Sequence, residues 1–407
     1  MDMITGGVTA AAGFSAAGCA AGIKKNGRTD MAMIFSEKPC SVAGTFTSNV
    51  VKAAPVLWDQ EIVKGGRAQA VVVNAGVANA CTGQTGLDYC KATAGEAGKA
   101  LGIDPGYVLV GSTGVIGVQL PIDRICAGVR TLSGMLGPHT EDGLAAAKAI
   151  MTTDTLPKEA AVTVTYSDGT RASVGGCAKG SGMIHPNMCT MLSFITTDTA
   201  ISSPMLQAAL SSVIPETFNM VSVDGDTSTN DSCLVLANGM AGNVEITEEN
   251  ADYKLFREAL LSVCTTLAKM MAKDGEGATC LFECTVIHAK NTEEARILAR
   301  SVVSSTLTKA AIAGHDANWG RILCALGYSG VDFSPERVTM KIESKAGELM
   351  PFAKGVPMPF DEEKATEILS QDEIRAIVDM EEGDASATAW GCDLTHEYVN
   401  INADYRS

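Results

Sequence analysis

The sequence predicts a mixed α/β fold with α+β layers, in which mixed sheets are covered by helices. Three observations support this prediction. Short apolar runs alternate with helix-like segments along all 407 residues. One segment alternates apolar and polar residues on both sides of Asp168–Gly169, a pair typical of a hairpin turn. Strands and helices do not follow one another in strict βαβα order, so a doubly wound sheet is not required.

Local patterns predict the individual strands. Residues 68–80 ("AQAVVVNAGVANA") and 107–117 ("YVLVGSTGVIG") read as buried strands that each enter a turn of small residues. Residues 161–176 ("AVTVTYSDGTRASVGG") make up the predicted hairpin, and 337–344 ("RVTMKIES") form a further alternating strand. Strands are therefore expected in both halves of the chain.

Two helices are predicted in the second half. Residues 254–277 place a run of apolar side chains on one helical face, and this helix should end at Gly275. That face comprises Phe256, Leu260, Val263, Leu267, Met270 and Met271. Residues 361–380 ("DEEKATEILSQDEIRAIVDM") are predicted to form a second helix with an acidic first turn.

Composition excludes several classes of function. The formal net charge is -16 and 5% of residues are aromatic, so a nucleic-acid partner is not expected. The 13 cysteines contain no C-x-x-C pair and the five histidines are dispersed, which fits neither a metal site nor a disulfide scaffold. The uncharged segment 4–23 is too rich in Gly, Ala, Ser and Thr for stable membrane insertion. These features predict a cytoplasmic protein with reduced thiols and no metal.

The most unusual stretch is 179–200, "KGSGMIHPNMCTMLSFITTDTA". No Asp, Glu, Lys or Arg lies between Lys179 and Asp198, and the Thr190 hydroxyl stands where a turn-rich segment meets a predicted buried strand. A threonine becomes a nucleophile when the chain breaks before it, because its own α-amino group then serves as the base. The ordinary alternative is a hydroxyl at a strand edge, bonded to the backbone.

Other polar turns allow several interpretations. The loop Gly111–Gly117 could cradle a phosphate, point N–H groups at an oxyanion, or be a plain tight turn, but it lacks the Gly-Lys-Ser/Thr of a Walker A motif. Asp274 and Glu276 could hold an ammonium group or cap loops. The His, Asp, Asn, Trp and Arg of 314–330 could simply cap a buried helix.

Together these segments resemble one family, the ornithine acetyltransferases, also called glutamate N-acetyltransferases, of arginine biosynthesis. The resemblance covers essentially the whole chain. It is carried, in order, by "GGVTAAAGFSAAGCAAGIKK", "VAGTFTSNVVKAAPV", "VVVNAGVANACTG", "STGVIG", "MTTDT", "KGSGMIHPNMCTML", "DGEGAT", "DANWGRI" and "CDLTHEYVNINADYRS".

The resemblance implies a self-processing fold like that of DmpA, and autocatalytic cleavage between Cys189 and Thr190. The products would be an alpha chain, 1–189, with the oxyanion loop and a beta chain, 190–407, that begins with the nucleophile. Thr190 would take the acetyl group from N-acetylornithine and pass it to glutamate in a ping-pong reaction. Acetyl-CoA is a further candidate donor, no cofactor or metal is expected, and the expected assembly is a heterotetramer of two alpha and two beta chains.

The resemblance also assigns roles to single residues. Thr113 and Gly114 would form the oxyanion hole. Either threonine of the pair Thr152/Thr153 could bind substrate, and Thr153 is favoured. Lys179 can pair with a substrate carboxylate, and Glu276 can hold a substrate amine. The full set of predicted substrate-binding residues is Thr153, Lys179, Thr190, Glu276, Asn402 and Ser407.

Four positions depart from the family's usual pattern without touching the nucleophile or the oxyanion pair. Cys189 replaces the commonest Ala, Val77 a usual Asn, Cys280 a frequent Lys, and Ser407 a common Thr. Two rival functions are an N-terminal-nucleophile amidohydrolase or aminopeptidase, and a binding protein of the same fold that is never processed.

Overall fold

The structure is a computed structural model that describes residues 1–25, 27–185 and 191–403. The chain divides into two compact units. Unit 1 comprises Met1–Gly180, Thr227–Leu267 and the described residues of 186–219. Unit 2 comprises Ser181–His185, Met220–Asp226 and the described residues of 268–407. The predicted cleavage products, 1–189 and 190–407, divide the backbone differently, and their separation stays a prediction.

Unit 1 is built on a mixed sheet. The strands are β1 (Asp2–Ile4), β2 (Phe14–Cys19), β3 (Met31–Phe46), β4 (Arg67–Val77), β5 (Val108–Val115), β6 (Lys158–Thr165), β7 (Arg171–Lys179), β8 (Leu192–Thr197) and β10 (Ser232–Ala237). Their order in the sheet is β1-β6-β7-β8-β10-β3-β4-β5, and β2 pairs with β3. The pairs β4–β5 and β8–β10 are parallel, and the other pairs are antiparallel.

Helices cover this sheet. They are α1 (Ala54–Lys64), α2 (Gly83–Leu101), α3 (Ile122–Ser133), α4 (Thr140–Ala149) and α5 (Ser203–Val213), while α6 (Ala251–Lys273) contributes residues to both units. In β4, Ala70 and Val72 join one core cluster with α2 and α3, whereas Val71 and Val73 join a second cluster with α4. Because both faces of β4 are buried, its sequence reads as an almost continuous apolar run.

Unit 2 contains a second mixed sheet. Its strands are β9 (Val221–Ser222), β11 (Leu281–Ala289), β12 (Thr339–Ser344), β13 (Gly347–Ala353), β14 (Val356–Pro357), β15 (Glu373–Asp379) and β16 (Ala385–Cys392). Their order in the sheet is β14-β13-β12-β15-β11-β16-β9. The helices are α7 (Thr292–Ser304), α8 (Thr306–Ala313), α9 (Trp319–Gly327), α10 (Glu362–Leu369) and α11 (His396–Ala403). Helix α7 packs on β11 and β16. The mixed α/β class is therefore confirmed.

Most local predictions are confirmed. Strands β4, β5 and β12 lie where the patterns place them, and β6 and β7 form the hairpin around Asp168–Gly169. Helix α6 buries the predicted face, although Met270 is half-buried and the helix ends at Lys273. The 314–330 segment contains α9, and at the start of this helix the Asn318 side chain accepts a hydrogen bond from the Arg321 N–H.

The single helix predicted for 361–380 is wrong. Helix α10 begins as expected, with the Asp361 side chain accepting from the N–H groups of Glu363 and Lys364, but it ends at Leu369. Residues Glu373–Asp379 instead form β15 between β12 and β11. The side chains of Ile374, Ala376 and Val378 alternate into the core with period two, so pairing on both edges overrides helix propensity.

The described cysteines carry no disulfide, and most of them are buried. Within the described residues, no helix combines the length and apolarity needed to cross a bilayer.

Candidate active site

At the carboxyl ends of β4 and β5 the two backbones approach each other closely. The strands are parallel, and Gly114 lies opposite Gly76 in the register, with a bulge at Val77. Gly114 has φ +129, and a Cβ there would overlap the Gly76 carbonyl group and the Val77 nitrogen. This position therefore requires glycine. Ligands of parallel sheets commonly bind at such strand ends.

Thr113, one residue before Gly114, is buried and polar. Its Oγ1 accepts a hydrogen bond from Lys179 Nζ at 3.3 Å. A lysine ammonium has no acceptor, so the threonine hydroxyl keeps its own proton for another partner. The Thr113 side chain can thus donate a hydrogen bond whose strength the neighbouring positive charge increases.

Asn230, in a loop, holds this close approach of β4 and β5 in place. Its Nδ2 donates to the carbonyl oxygens of Ala78 at 2.5 Å and Ser112 at 2.8 Å. The Ser112 hydroxyl in turn donates to Asn74 Oδ1 at 2.6 Å. These bonds hold the ends of β4 and β5 together. Asn230 is absent from the sequence-based site, because nothing in its local pattern indicates a contact with strands more than a hundred residues away.

Lys179 ends β7 and is buried beside Asp154. Asp154 accepts hydrogen bonds from Lys158 Nζ at 2.7 Å, from the Gly180 N–H at 2.8 Å and from the Thr152 N–H at 3.0 Å. Burial disfavours its charged form, but the Lys179 and Lys158 ammonium groups and these hydrogen bonds hold the pKa of Asp154 well below its usual range. Asp154 therefore ties the Thr152/Thr153 turn to the lysine strand.

The Asp154→Asn substitution is expected to lower the free energy of unfolding at pH 7 by about 3 kcal/mol, because it removes the carboxylate that neutralises the buried Lys158. The folded pKa is depressed, so this stabilisation is complete above the unfolded value near pH ~4 and is lost as the pH falls through the folded pKa. Urea unfolding at pH 7 and at lower pH measures both effects.

The matched control is Asp88→Asn, which changes an exposed carboxylate in the same unit and should alter stability by less than about 0.5 kcal/mol. Equal losses for the two variants, or a gap that widens on acidification, would contradict this role for Asp154.

A second carboxyl, that of Asp231, precedes β10 and is buried. Burial raises its pKa well above the usual range, while a hydrogen bond with Ser228 and the charge of Lys179 oppose the rise. Among the described residues its Oδ2 finds no hydrogen-bond partner. Burial therefore disfavours the charged form of the Asp231 carboxyl beside Lys179.

Lys24 is a further residue that sequence reasoning missed. Its Nζ donates to the carbonyl oxygens of Met151 at 2.7 Å and Thr29 at 2.9 Å, so it lies next to the predicted substrate turn. Burial, followed by the Arg28 and Lys179 charges, lowers the pKa of Lys24 to about 8, against the opposing effect of Asp30 and Asp154. The segment "GIKK" identifies Lys24 as a cation, but nothing in it indicates the contact with Met151, which is distant in the chain.

Unit 2 brings together two other predicted residues. Asn402 Nδ2, on α11, donates to Glu276 Oε2 at 2.7 Å, and Glu276 is buried. The Glu276 N–H donates to the Ser181 carbonyl at 2.9 Å, and Gly182 lies against the Glu276 carboxyl so closely that a Cβ would overlap it. The Glu276 carboxylate is thus oriented by an amide and confined by a glycine.

The remaining residues singled out from the sequence lie outside these two groups of contacts. Cys189, Thr190 and Ser407 lie outside the described residues. Val77 stands at the β4 bulge, where its carbonyl accepts from Asn74 Nδ2 at 2.9 Å. Cys280 is buried, its N–H donates to Asp393 at 3.2 Å, and burial raises the pKa of its thiol to about 12. Among the described residues, no three His, Cys, Asp or Glu side chains are arranged to hold a metal ion.

Known proteins resemble this chain along its whole length. A family model described as the ArgJ family matches residues 15–407. An arginine biosynthesis bifunctional protein ArgJ from Symbiobacterium thermophilum is 50% identical over 409 residues, and one from Caldanaerobacter subterraneus subsp. tengcongensis is 48% identical over 408 residues. Each alignment covers 100% of this chain and 100% of the relative.

Two solved structures are also similar. An arginine biosynthesis bifunctional protein argJ from Bacillus halodurans is 46% identical, with a TM-score of 0.49 over 52% of this chain and 97% of that chain. An ornithine acetyltransferase complexed with ornithine from Mycobacterium tuberculosis is 47% identical, with a TM-score of 0.43 over 45% of this chain and 95% of that chain. On the family model and the curated relatives, this chain belongs to the ArgJ family and is an acyltransferase of arginine biosynthesis.

Proposed function

We propose that the protein transfers the acetyl group of N2-acetyl-L-ornithine to L-glutamate through an acetyl ester on Thr190. The observation that carries this proposal is the Lys179–Thr113 hydrogen bond, which leaves the Thr113 proton available beside the Gly114 backbone. A hydroxyl and an N–H at one turn are the donors that a tetrahedral acyl intermediate needs. Membership of the ArgJ family supports the same reaction class.

The proposed reaction has two halves. The Thr190 hydroxyl, with its proton taken by the Thr190 α-amino group, attacks the acetyl carbonyl of N-acetylornithine. The tetrahedral oxyanion is stabilised by Thr113 and Gly114, and its collapse returns the proton to the leaving amine and releases ornithine. The amine of glutamate then attacks the ester, which yields N-acetylglutamate and restores Thr190.

Cleavage before Thr190 generates that α-amino group. The Thr190 hydroxyl attacks the Cys189 carbonyl, the peptide becomes an ester by an N-to-O acyl shift, and water hydrolyses the ester. The products are 1–189 and 190–407, which we propose to assemble as two alpha and two beta chains. Denaturing electrophoresis followed by N-terminal sequencing tests this step. An intact, inactive chain would instead favour the unprocessed binding protein.

Substrate recognition is proposed to use charge complementarity. The α-carboxylate is assigned to Lys179 and the Thr152/Thr153 turn, with Thr153 favoured, and the ornithine side-chain amine to Glu276 with Asn402. Ser407 completes the proposed set. The relatives' designation as bifunctional supports acetyl-CoA as a second donor for glutamate.

The decisive assay follows both products. Incubation with N-acetylornithine and glutamate should yield ornithine and N-acetylglutamate in equal amounts, because the acetyl group passes from one amine to the other. Predominant release of acetate would overturn the proposal in favour of the amidohydrolase or aminopeptidase alternative. Glutamate acetylation with acetyl-CoA alone then tests the second donor.

The Gly182→Ala substitution tests the Glu276 assignment. The added methyl group overlaps the Glu276 carboxyl, so the carboxylate must move away from its Asn402 partner. Because a charge-assisted contact is worth about 1.5 kcal/mol, KM for N-acetylornithine should rise about tenfold. Gly327→Ala, with open space around its Cβ, is the matched control in the same unit. An unchanged KM for the Gly182 variant would argue against Glu276 as a substrate ligand.

A further inference from the structure

Among the described residues, the main charges that act on Lys24 and Asp154 are more often positive than negative. Lys158 and Lys179 act on Asp154, and Lys24 is acted on by Arg28 and Lys179 as well as by Asp30 and Asp154. The charged groups just named are four cations and two carboxylates, in a chain of net charge -16. A third carboxyl, that of Asp231, is buried, and burial raises its pKa well above the usual range, which disfavours its negative charge. A partly buried excess of cations is stabilised by an anionic ligand.

The carboxylates already present are committed to the fold. Asp30 accepts hydrogen bonds from the N–H groups of Ala21 at 2.6 Å, Ile23 at 2.6 Å and Lys24 at 3.0 Å. Asp154 bonds Lys158 and two backbone N–H groups. In the described contacts neither accepts a hydrogen bond from Lys24 Nζ, so this ammonium can still pair with a further anion.

The Lys24 ammonium is held in a position from which it can bind an anion. Two of its three N–H donors bind the Thr29 and Met151 carbonyls, which fixes the group, and the contacts within the described residues leave its third donor for a ligand. Met151 directly precedes Thr152 and Thr153, so Lys24 is held beside the turn that is tied through Asp154 to Gly180 and to the Lys179 strand.

We propose that Lys24 is a second cationic ligand, with Lys179, for the α-carboxylate that the acetyl donor and the acetyl acceptor share. The proposal rests on the acetyl-transfer function given above and adds a residue to it. One site then serves the same group in both half-reactions, which suits a ping-pong enzyme whose donor and acceptor occupy the site in turn.

The first test is a substrate comparison with the Lys24→Gln and Lys24→Arg variants. Lys24→Gln should raise KM for both N-acetylornithine and glutamate about ten- to hundredfold with kcat nearly unchanged, because a charge-assisted contact to bound substrate is lost. Lys24→Arg should keep KM within a few-fold of the parent. Lys25→Gln, an exposed neighbour, is the matched control.

A donor that lacks the α-carboxylate separates binding from a structural role. With N-acetyl-1,4-diaminobutane as acetyl donor, the parent enzyme and Lys24→Gln should have the same donor KM, because the group that Lys24 contacts is missing. An equal rise in KM for this donor would overturn the proposal, as would a rise confined to acetyl-CoA, which would indicate its phosphates instead. Failure of the parent enzyme to transfer acetyl to glutamate would refute the proposed function itself.

The pH dependence of KM gives an independent readout. Burial, with the Arg28 and Lys179 charges, lowers the pKa of Lys24 to about 8 against the opposing Asp30 and Asp154, and only the charged form of Lys24 pairs with a carboxylate. KM for N-acetylornithine should therefore rise as the pH passes 8 in the parent and remain flatter in Lys24→Arg, whose guanidinium stays charged. Superimposable profiles for the two proteins would contradict the role of Lys24.

Discussion

Replacement of Thr190 by alanine is expected to leave one uncut chain of 42.2 kDa and to abolish acetyl transfer. A single hydroxyl is proposed to attack first the Cys189 carbonyl and later the substrate acetyl group. Alanine removes the nucleophile from both steps, so processing and turnover should fail together. Electrophoresis of the purified protein and an ornithine-release assay measure the two outcomes.

The control for this experiment is Thr190→Ser, which keeps a hydroxyl at the same backbone position. Serine should restore both cleavage and transfer, although at altered rates because the β-methyl group is lost. If the alanine variant still transferred acetyl groups, the nucleophile would have to be another residue. If it were cleaved normally, the mechanism of chain breakage would have to change.

Thr113→Val is expected to lower kcat by a factor of about 10² to 10³, because it removes one oxyanion donor. Valine has nearly the shape of threonine, so the buried end of β5 should keep its packing, and the loss should appear in kcat rather than KM. The rate is measured on the cleaved fraction, quantified by electrophoresis, because the same donor is proposed to assist cleavage.

Thr113→Ser serves as the paired variant, since it keeps the hydroxyl that accepts from Lys179 and donates to the oxyanion. Its kcat should exceed that of Thr113→Val by at least about tenfold. A Val variant within threefold of the parent kcat would show that the Thr113 hydroxyl takes no part in catalysis, whatever its distance from Lys179.

Sequence patterns located most of the secondary structure because those elements carry their own signal. Strand β4 is apolar on both faces, and the β6–β7 hairpin turns at Asp168–Gly169. The helix predicted for 361–380 is wrong because the second half of this segment takes its structure from pairing with distant strands, which local patterns do not show. Its acidic first turn and Asp361 cap are local, whereas β15 exists through pairing with β11 and β12, which lie more than twenty residues away on either edge.

The candidate site was predicted unevenly. Thr113, Gly114, Lys179, Glu276 and Asn402 could be named because they lie in motifs that resemble a known family, and nearby charge made their roles plausible. The contact of Asn230 with the β4 and β5 ends and the contact of Lys24 with Met151 could not be named. Each joins segments that are far apart in the chain and adjacent only after folding.

By itself, the sequence determined the mixed α/β class, the motifs of an acetyltransferase family and the threonine proposed as its nucleophile, because these depend on residue type and order. The tertiary structure alone decided which charges meet. It placed Lys24, Lys158 and Lys179 around the same carboxylate, and it put Thr113 within reach of Lys179. The physical reason is that electrostatic interactions depend on distance and burial, and neither can be read from positions along a chain.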